Sequence, residues 1–422
     1  MGFVQYPLCC HSNKQKEQEQ EPQPQGDHHL HSQSSTSSSL SSQPSLPNVP
    51  SLTPLSHNLQ QPQTTHHQLI TTIKPHSSPI FSLSLHGKFL YSASSSGEIT
   101  TCSRDPFILQ TPNTTNVVAI SNSAVKSLII FNNKLFTAHQ DHKIRVWKTD
   151  PNERFKCIAT LPTFNDRFSK MFSSNNYIEI RRHKKCTWVH HVDTVSALAL
   201  SKDGSLLYSA SWDRTFKIWR TRDFKCLESV NAHEDAINAL VISNDGVLYT
   251  GSADKKIKIW KKNEDEKKHS LLGTLEKHKS AVNALALSTD GSVLYSGACD
   301  RSILVWENDD ANNNNNNKKV LVGALRGHTK AILCLVVMDD LVCSGSADNS
   351  VRIWRRGIEK SCYSCLAVLQ GHTRPVKSLA MAMAMPLHSS NTSAPHDDTA
   401  SSYLIYSASL DSEIKAWQLR LL

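Results

Sequence analysis

The sequence predicts an all-β fold, a seven-bladed β-propeller preceded by a disordered N-terminal tail. One observation is a recurring core such as YSASWDRTFKIW (208–219), in six copies of which an Asp lies six residues before a Trp. Another is the set of short alternating apolar runs between these cores, such as VSALAL, INALVI and VNALAL, which are typical of strands. Four short strands in a repeat of this length are typical of one propeller blade.

The N-terminal segment 1–66 has a different composition from the rest of the chain. It holds 12 Ser, 11 Gln and 8 of the 17 prolines. Such a segment buries too little apolar surface to offset the entropy lost on ordering, so we predict that it is disordered. The chain has a formal net charge of +9, but this tail carries −2, so residues 67–422 carry +11. Any basic surface therefore belongs to the propeller.

A set of four polar and aromatic residue types recurs in register with the predicted strands. A His precedes every copy but the second, a Ser or Thr lies four residues before the Asp, and the Trp ends the core. A catalytic triad occurs once per active site, whereas this set occurs complete five times, which favours a structural role over hydrolysis. The five complete sets are His191, Ser209, Asp213, Trp219; His233, Thr250, Asp254, Trp260; His278, Ser296, Asp300, Trp306; His328, Ser344, Asp348, Trp354; and His372, Ser407, Asp411, Trp417.

The first two copies depart from this pattern. In the first, Ser96 and Cys102 stand in the Asp and Trp places. In the second, Ser121 stands in the His place. We therefore expect the interactions of the set to be weakest in the first two blades.

The repeat resembles the WD-repeat family. The resemblance lies in a Gly-His-like dipeptide, as at 327–328 and 371–372, and in the Trp that ends each core. It covers roughly residues 67–422, although the residue after Trp is Lys, Arg, Glu or Gln rather than the Asp that names the family. The resemblance implies a hydrogen-bond network in which Asp holds His, His bonds the Ser or Thr, and that hydroxyl meets the Trp indole N–H.

The family resemblance also implies a partner-binding top face. Family members dock partners through the residue before the turn Asp and through the third and fifth residues after the His. Trp212 is the strongest candidate because exposed Trp is frequent among interface hot spots, although packing against the neighbouring insertion is an alternative. The candidates are Trp212, Phe81, Asn238, Asn283, Leu333, Lys126, Lys377, Gln140 and Leu410.

A longer stretch resembles a narrower group. The segment ATLPTFNDRFSKMF, the following NNYIEIRRHKKCTWVHHVDTVSALALSKDG and the core SWDRTFKIWR are similar to plant JINGUBANG-type WD-repeat proteins. That resemblance implies a plant regulatory protein linked to the control of pollen germination and tube growth.

Three insertions and one N-terminal strand complete the predicted propeller at 67–422. The insertion 162–187 contains several aromatic residues and predicts a small ordered element between the second and third blades, whereas 307–319 and 385–402 are polar and predict surface loops. The last core ends at Trp417 with only QLRLL behind it. We predict that QLITTI (68–73) supplies the missing outer strand and closes the ring, which removes an open sheet edge.

A basic cluster within the first insertion suggests an electrostatic surface. Such a patch can bind phosphates or an acidic partner, although a solvated charge run is the simpler interpretation. Its residues are Arg181, Arg182, Lys184 and Lys185.

Taken together, these patterns predict a non-catalytic scaffold that binds other proteins. The chain shows neither a GxSxG elbow nor a phosphate-binding Gly loop nor a set of residues at zinc spacing, so we expect no enzyme activity, no cofactor and no metal. No apolar run approaches the roughly 18 residues of a membrane span, and the start has no secretory signal pattern. We therefore expect an intracellular protein, cytoplasmic or nuclear, with reduced thiols.

Two other functions stay open at this point. A substrate receptor for a cullin-type ubiquitin ligase would carry Trp-(Asp/Glu)-x-(Arg/Lys), and WRTR at 219–222 has the distal Arg without the acid. An RNA-binding or phosphoinositide-binding propeller would use the +11 surface. Nucleic acid and acidic lipid are thus alternatives to a protein partner, but the sequence does not favour them.

Overall fold

The computed structural model covers the predicted propeller and a short part of the segment before it. Several predicted features lie outside the described residues: most of the tail, Arg182, and the centres of the two polar loops. The described residues are 49–53, 65–105, 115–149, 155–172, 177–181, 184–262, 268–309, 318–357, 362–384 and 401–421.

The described strands form seven four-stranded antiparallel sheets, which confirms the predicted seven-bladed propeller. Strand β1 (Thr65–Ile73) precedes the first blade. Blade 1 contains β2 (Ile80–His86), β3 (Phe89–Ser94), β4 (Glu98–Ser103) and β5 (Asn116–Ile120). Blade 2 contains β6 (Val125–Phe131), β7 (Lys134–His139), β8 (Ile144–Thr149) and β9 (Phe155–Leu161). An insertion follows, with α1 (Phe164–Met171), β10 (Tyr177–Arg181) and β11 (Lys184–Thr187).

The remaining blades follow the same order, from the inner to the outer strand. Blade 3 contains β12 (Val195–Leu200), β13 (Leu206–Ser211), β14 (Thr215–Arg220) and β15 (Cys226–Asn231). Blade 4 contains β16 (Ile237–Ile242), β17 (Leu248–Ser252), β18 (Ile257–Lys262) and β19 (His269–Leu275). Blade 5 contains β20 (Val282–Leu287), β21 (Val293–Ala298), β22 (Ile303–Asn308) and β23 (Lys319–Leu325). Blade 6 contains β24 (Ile332–Met338), β25 (Leu341–Ser346), β26 (Val351–Arg356) and β27 (Tyr363–Leu369). Blade 7 contains β28 (Val376–Met383), β29 (Ser401–Ser409) and β30 (Ile414–Leu421).

The apolar core lies between neighbouring blades. One cluster joins Phe136 and Val146 of blade 2 to Val195, Leu207 and Trp219 of blade 3. All five are almost fully buried. Because each such side chain contributes roughly 1.5–3 kcal/mol when it leaves water, every blade depends on its two neighbours for its stability.

Blade 7 takes its outer strand from the N-terminal side of the chain. β1 pairs antiparallel with β30, from Thr65 opposite Leu421 to Ile73 opposite Ile414. The Gln68 side-chain amide donates to the Gln418 side-chain oxygen at 2.9 Å. The run 68–73 thus lies within a longer strand, which begins at Thr65 inside the segment predicted as tail.

A short stretch of the predicted tail, residues 49–53, packs against the propeller. The Leu52 amide donates to the Ala324 carbonyl at 3.0 Å, and the Ala324 amide donates to the Pro50 carbonyl at 2.9 Å. The Leu52 carbonyl accepts from the Tyr363 amide at 3.2 Å, and the Leu52 side chain is buried among residues of blades 5 and 6. This stretch is ordered, in contrast to the prediction for the whole of 1–66, because one large apolar side chain and backbone hydrogen bonds offset its ordering entropy.

The insertion at 162–187 forms helix α1 and the hairpin β10–β11. The Thr163 side chain caps α1 by accepting the Asp166 amide at 3.2 Å. The buried Asp166 carboxylate accepts the Cys226 amide of blade 3 at 2.8 Å, which fixes the helix against that blade. Within the described part of the chain, no helix is both long and apolar enough to cross a bilayer.

Candidate partner-binding face

Each inner strand carries one extra residue at its second position, where a one-residue register shift leaves it opposite no partner. Such β-bulges turn a side chain out of the normal strand alternation. Six of the seven bulge residues are among the candidates predicted from the sequence, and Ser196 is not. The bulge residues are Phe81, Lys126, Ser196, Asn238, Asn283, Leu333 and Lys377.

The turn between the second and third strands brings the other candidates to the same face. The Trp212 amide donates to the Thr194 carbonyl, directly before inner strand β12, at 3.0 Å. Gln140 and Leu410 make the equivalent bond in blades 2 and 7, each at 3.0 Å. Because this bond ties each turn to the start of an inner strand, the turn residues and the bulge residues share one face of the ring. All nine candidates are half-buried there.

Three candidates from blades 1, 2 and 3 form an aromatic–lysine cluster. The Lys126 ammonium lies 4.1 Å from the centre of the Phe81 ring and 5.8 Å from the Trp212 ring. Both distances suit cation–π attraction. Burial, and then the charge of Lys377, lowers the pKa of Lys126 to about 8. Burial also lowers the pKa of Lys377. This side of the face therefore combines half-buried aromatic side chains with lysine ammonium groups.

The side chains of Asn238 and Asn283 form hydrogen bonds to the neighbouring blades. The Asn238 amide donates to the Val282 carbonyl at 3.1 Å, and the Asn283 amide donates to the Ile332 carbonyl at 2.9 Å. Each bond joins one inner strand to the next. Since these donors are committed to neighbouring blades, they have less freedom to bind a partner than Trp212 has.

Blades 3 to 7 each contain the complete polar set as a hydrogen-bonded chain. In blade 3 the Trp219 indole N–H donates to the Ser209 hydroxyl at 2.9 Å, and that hydroxyl lies 2.8 Å from Nε2 of His191. Nδ1 of His191 lies 2.9 Å from Asp213. Across the five blades the same distances are 2.9–3.0 Å, 2.8–2.9 Å and 2.8–2.9 Å.

Burial and hydrogen bonding shift the pKa values of His191 and Asp213 in this network. Burial would raise the pKa of Asp213, but hydrogen bonds from His191, Thr215 and the Val192 amide hold it well below its usual value. Burial lowers the pKa of His191, against the pull of Asp213. A neutral ring donates from Nδ1 to the carboxylate and accepts the Ser209 hydroxyl at Nε2, so each polar group has a partner.

In the hydrogen-bonded set of blade 1, Ser96 and Cys102 replace the Asp and the Trp. Thr100 lies 2.7 Å from the Ser92 hydroxyl and so fills the place of the missing indole donor. His76 keeps its contact with Ser92 at 2.9 Å, but its Nδ1 lies 3.6 Å from Glu98, too far for a hydrogen bond.

Blade 2 takes its imidazole from another strand. Nε2 of His139, in β7, lies 2.7 Å from the Thr137 hydroxyl, which also accepts the Trp147 indole N–H at 2.8 Å. Asp141 pairs with Arg145 at 2.6 Å instead of with a His. His139 was not predicted from the sequence, although it stands where the other copies have Ser or Ala.

The polar sets are poorly placed for catalysis or metal binding. Ser209 is fully buried, and His191 is 5% exposed. Among the described residues, His372, Asp411 and Glu413 form one group with metal-ligand spacing. Both ring nitrogens of His372 lie 2.9 Å from hydrogen-bond partners, Asp411 and Ser407. His372 and Asp411 are therefore members of the hydrogen-bonded set of blade 7.

The predicted basic patch lies on the hairpin of the insertion. In the ladder between β10 and β11, Arg181 lies opposite Lys184 and Glu179 lies opposite Lys185. Arg182 lies outside the described residues. The hairpin is a two-stranded sheet of its own, separate from the blades that carry the aromatic–lysine cluster.

Comparison with known proteins agrees with this architecture. The family described as "WD domain, G-beta repeat" matches residues 183–220, 224–261, 269–307 and 319–355. Each matched copy contains one complete His, Ser or Thr, Asp and Trp set. The matched copies lie in blades 3 to 6, so this seven-bladed β-propeller contains repeats that match the WD-repeat family.

Two curated relatives are similar over part of their length. Autophagy-related protein 16 of Arabidopsis thaliana is 28% identical over 262 residues, which are 57% of this chain and 48% of that protein. Mitochondrial division protein 1 of Schizosaccharomyces pombe (strain 972 / ATCC 24843) is 27% identical over 222 residues, 45% of this chain and 33% of that protein. The chain therefore spans half or less of these relatives.

Proposed function

We propose that this propeller is a non-catalytic scaffold that binds a protein partner on the face formed by the bulge and turn residues. The observation that carries the proposal is the cluster of Phe81, Lys126 and Trp212, in which three blades bring aromatic surface and a positive charge together. A half-exposed Trp beside a second aromatic residue is typical of an interface hot spot. The rigid ring supports them, so little entropy is lost when a partner binds.

The cluster also indicates which partner chemistry fits best. Lys126 and Lys377 both lie on this face, and the charge of Lys377 adds to burial in lowering the pKa of Lys126. A partner segment with an apolar or aromatic anchor and a nearby acidic group would match this surface. The plant setting and a role in pollen germination and tube growth rest on the resemblance to JINGUBANG-type proteins and belong to this proposal.

Capture of partners from the native tissue by wild type and Trp212→Ala tests the proposal. We expect Trp212→Ala to weaken capture by about 2 kcal/mol or more while the propeller stays folded. Phe89→Ala is the matched control, because Phe89 is an exposed aromatic residue in the β2–β3 hairpin, at the opposite end of the strands. Equal capture by all three proteins would refute the assignment of this face.

The ubiquitin-ligase receptor alternative gains little from the structure. In the WRTR segment Arg220 forms a bidentate ion pair with Asp223, at 2.6 and 2.9 Å. This exposed pair closes the β14–β15 turn on itself.

A further inference from the structure

Helix α1 presents a stripe of three phenylalanines to the solvent. Phe164, Phe168 and Phe172 are 69%, 48% and 75% exposed. Phe168 lies 5.9 Å from Phe164 and 5.0 Å from Phe172, measured between ring centres, so the three rings form one continuous apolar surface. Large aromatic side chains at four-residue spacing normally face a core, and here they face outward.

The opposite side of the helix explains this orientation. Asp166 is buried and bonded to the Cys226 amide at 2.8 Å. Lys170 lies over the Trp188 ring at 5.4 Å, on the body of the protein. At 100° per residue, Asp166 is about 160° around the helix from Phe168. The contacts that fix α1 therefore hold its aromatic side away from the propeller.

The sequence on either side of the stripe is basic. Residues 155–187 contain seven Lys and Arg against two acids, Asp166 and Glu179, a net of +5. Of the two acids, Asp166 is turned inward and buried. Arg167 is exposed on α1 itself. Hairpin strand β11, which follows the helix, begins with Lys184 and Lys185.

We propose that α1 docks this propeller on membrane surfaces that contain anionic lipid. Aromatic side chains on one face of an interfacial helix enter the boundary between headgroups and acyl chains, while neighbouring Lys and Arg attract anionic headgroups. The stripe is an exposed apolar surface with the exposed Arg167 on the same helix, and an anionic bilayer complements both features. The site is separate from the proposed protein-binding face, so each is tested by its own variant.

The test is sedimentation of the full chain with phosphatidylcholine vesicles, with and without phosphatidylserine. We expect wild type to bind the phosphatidylserine vesicles, with affinity that falls as salt is added. The variant Phe164→Ser/Phe168→Ser/Phe172→Ser should bind at least about tenfold more weakly at an unchanged melting temperature, because the replaced side chains are exposed.

Leu271→Ser/Leu272→Ser is the matched control, since both leucines are exposed on outer strand β19 of blade 4. This control and Trp212→Ala should bind vesicles as wild type does. No sedimentation of wild type with phosphatidylserine vesicles would overturn the proposal. Vesicle binding by the triple variant as strong as that of wild type would overturn the proposal as well. The same holds if the triple variant loses a protein partner while it still binds vesicles.

Discussion

Nε2 of His139 lies 2.7 Å from the Thr137 hydroxyl, although the two residues belong to the same strand. The remaining ring nitrogen, Nδ1, lies 3.2 Å from the Ser123 carbonyl. Blade 2 thus keeps the connection from indole to hydroxyl to imidazole, even though Ser121 occupies the usual His position. In blade 2 the imidazole comes from strand β7 rather than from the segment before the inner strand, and it still contacts the hydroxyl.

Replacing this imidazole should destabilise blade 2. His139→Ser leaves the buried Thr137 hydroxyl with fewer partners and should lower the free energy of unfolding by about 1–3 kcal/mol, measured by urea denaturation. The double variant Ser121→His/His139→Ser restores the arrangement of blades 3 to 7 and should recover part of that loss. Wild-type stability in the single variant would show that the imidazole is dispensable.

Stability should fall on mild acidification. Burial, and then the charge of Arg145, lowers the pKa of His139 from 6.5 to about 4, so the ring is neutral in the folded state. The unfolded chain binds the proton from about pH 6.5 downward, so this contribution is complete above pH 6.5 and is lost as the pH falls toward 4. The expected loss is about 2 kcal/mol at pH 5 relative to pH 7.

Urea midpoints measured from pH 7.5 to 4.5 test this, with His139→Ser as the comparison. The variant should show a shallower decline over that range. Buried carboxylates such as Asp213, whose folded pKa is also lowered, add their own loss only at still lower pH. Parallel curves for the two proteins would contradict the assignment to His139.

The docking of residues 49–53 should depend on the absence of a side chain at Gly323. A Cβ there would lie 2.6 Å from the Leu52 side chain and 2.8 Å from the Pro50 carbonyl. Gly323→Ala should therefore release this stretch and speed hydrogen exchange of the Ala324 amide by about tenfold or more, because that amide loses its acceptor.

Gly273 provides a matched control for this change. It lies on β19 at the equivalent pairing position, and a Cβ there would meet only an Ile259 methyl at 4.0 Å. Gly273→Ala should leave exchange at Ala324 unaltered. Unaltered exchange at Ala324 in Gly323→Ala as well would show that the hydrogen bonds to residues 49–53 do not protect this amide.

Removal of β1 should weaken ring closure. A chain that starts at residue 74 leaves β30 as an open edge, and we expect a loss of at least about 2 kcal/mol together with self-association through that edge. A chain that starts at residue 49 keeps β1 and should behave as the full chain does. Thermal denaturation and size-exclusion chromatography measure the two effects, and unchanged melting of the shorter chain would refute closure by β1.

Much of the fold could be predicted because its signals are local and repeated. The Asp–Trp spacing and the alternating runs mark the same strands in every copy, and the seven sheets appear where those marks lie. The candidate face was harder to predict. Asn238 and Phe81 occupy equivalent positions in sequence, yet the first bonds the Val282 carbonyl of the next blade while the second lies under the Lys126 ammonium.

By itself, the sequence determined the number of blades, the members of the polar sets and the composition of the insertion. The tertiary structure alone decided that His139 substitutes for the missing imidazole, that Leu52 packs between blades 5 and 6, and that the α1 phenylalanines face the solvent. The physical reason is that strand patterns depend on neighbours a few residues away. Bulge orientation and packing depend on contacts between blades that are far apart in the chain.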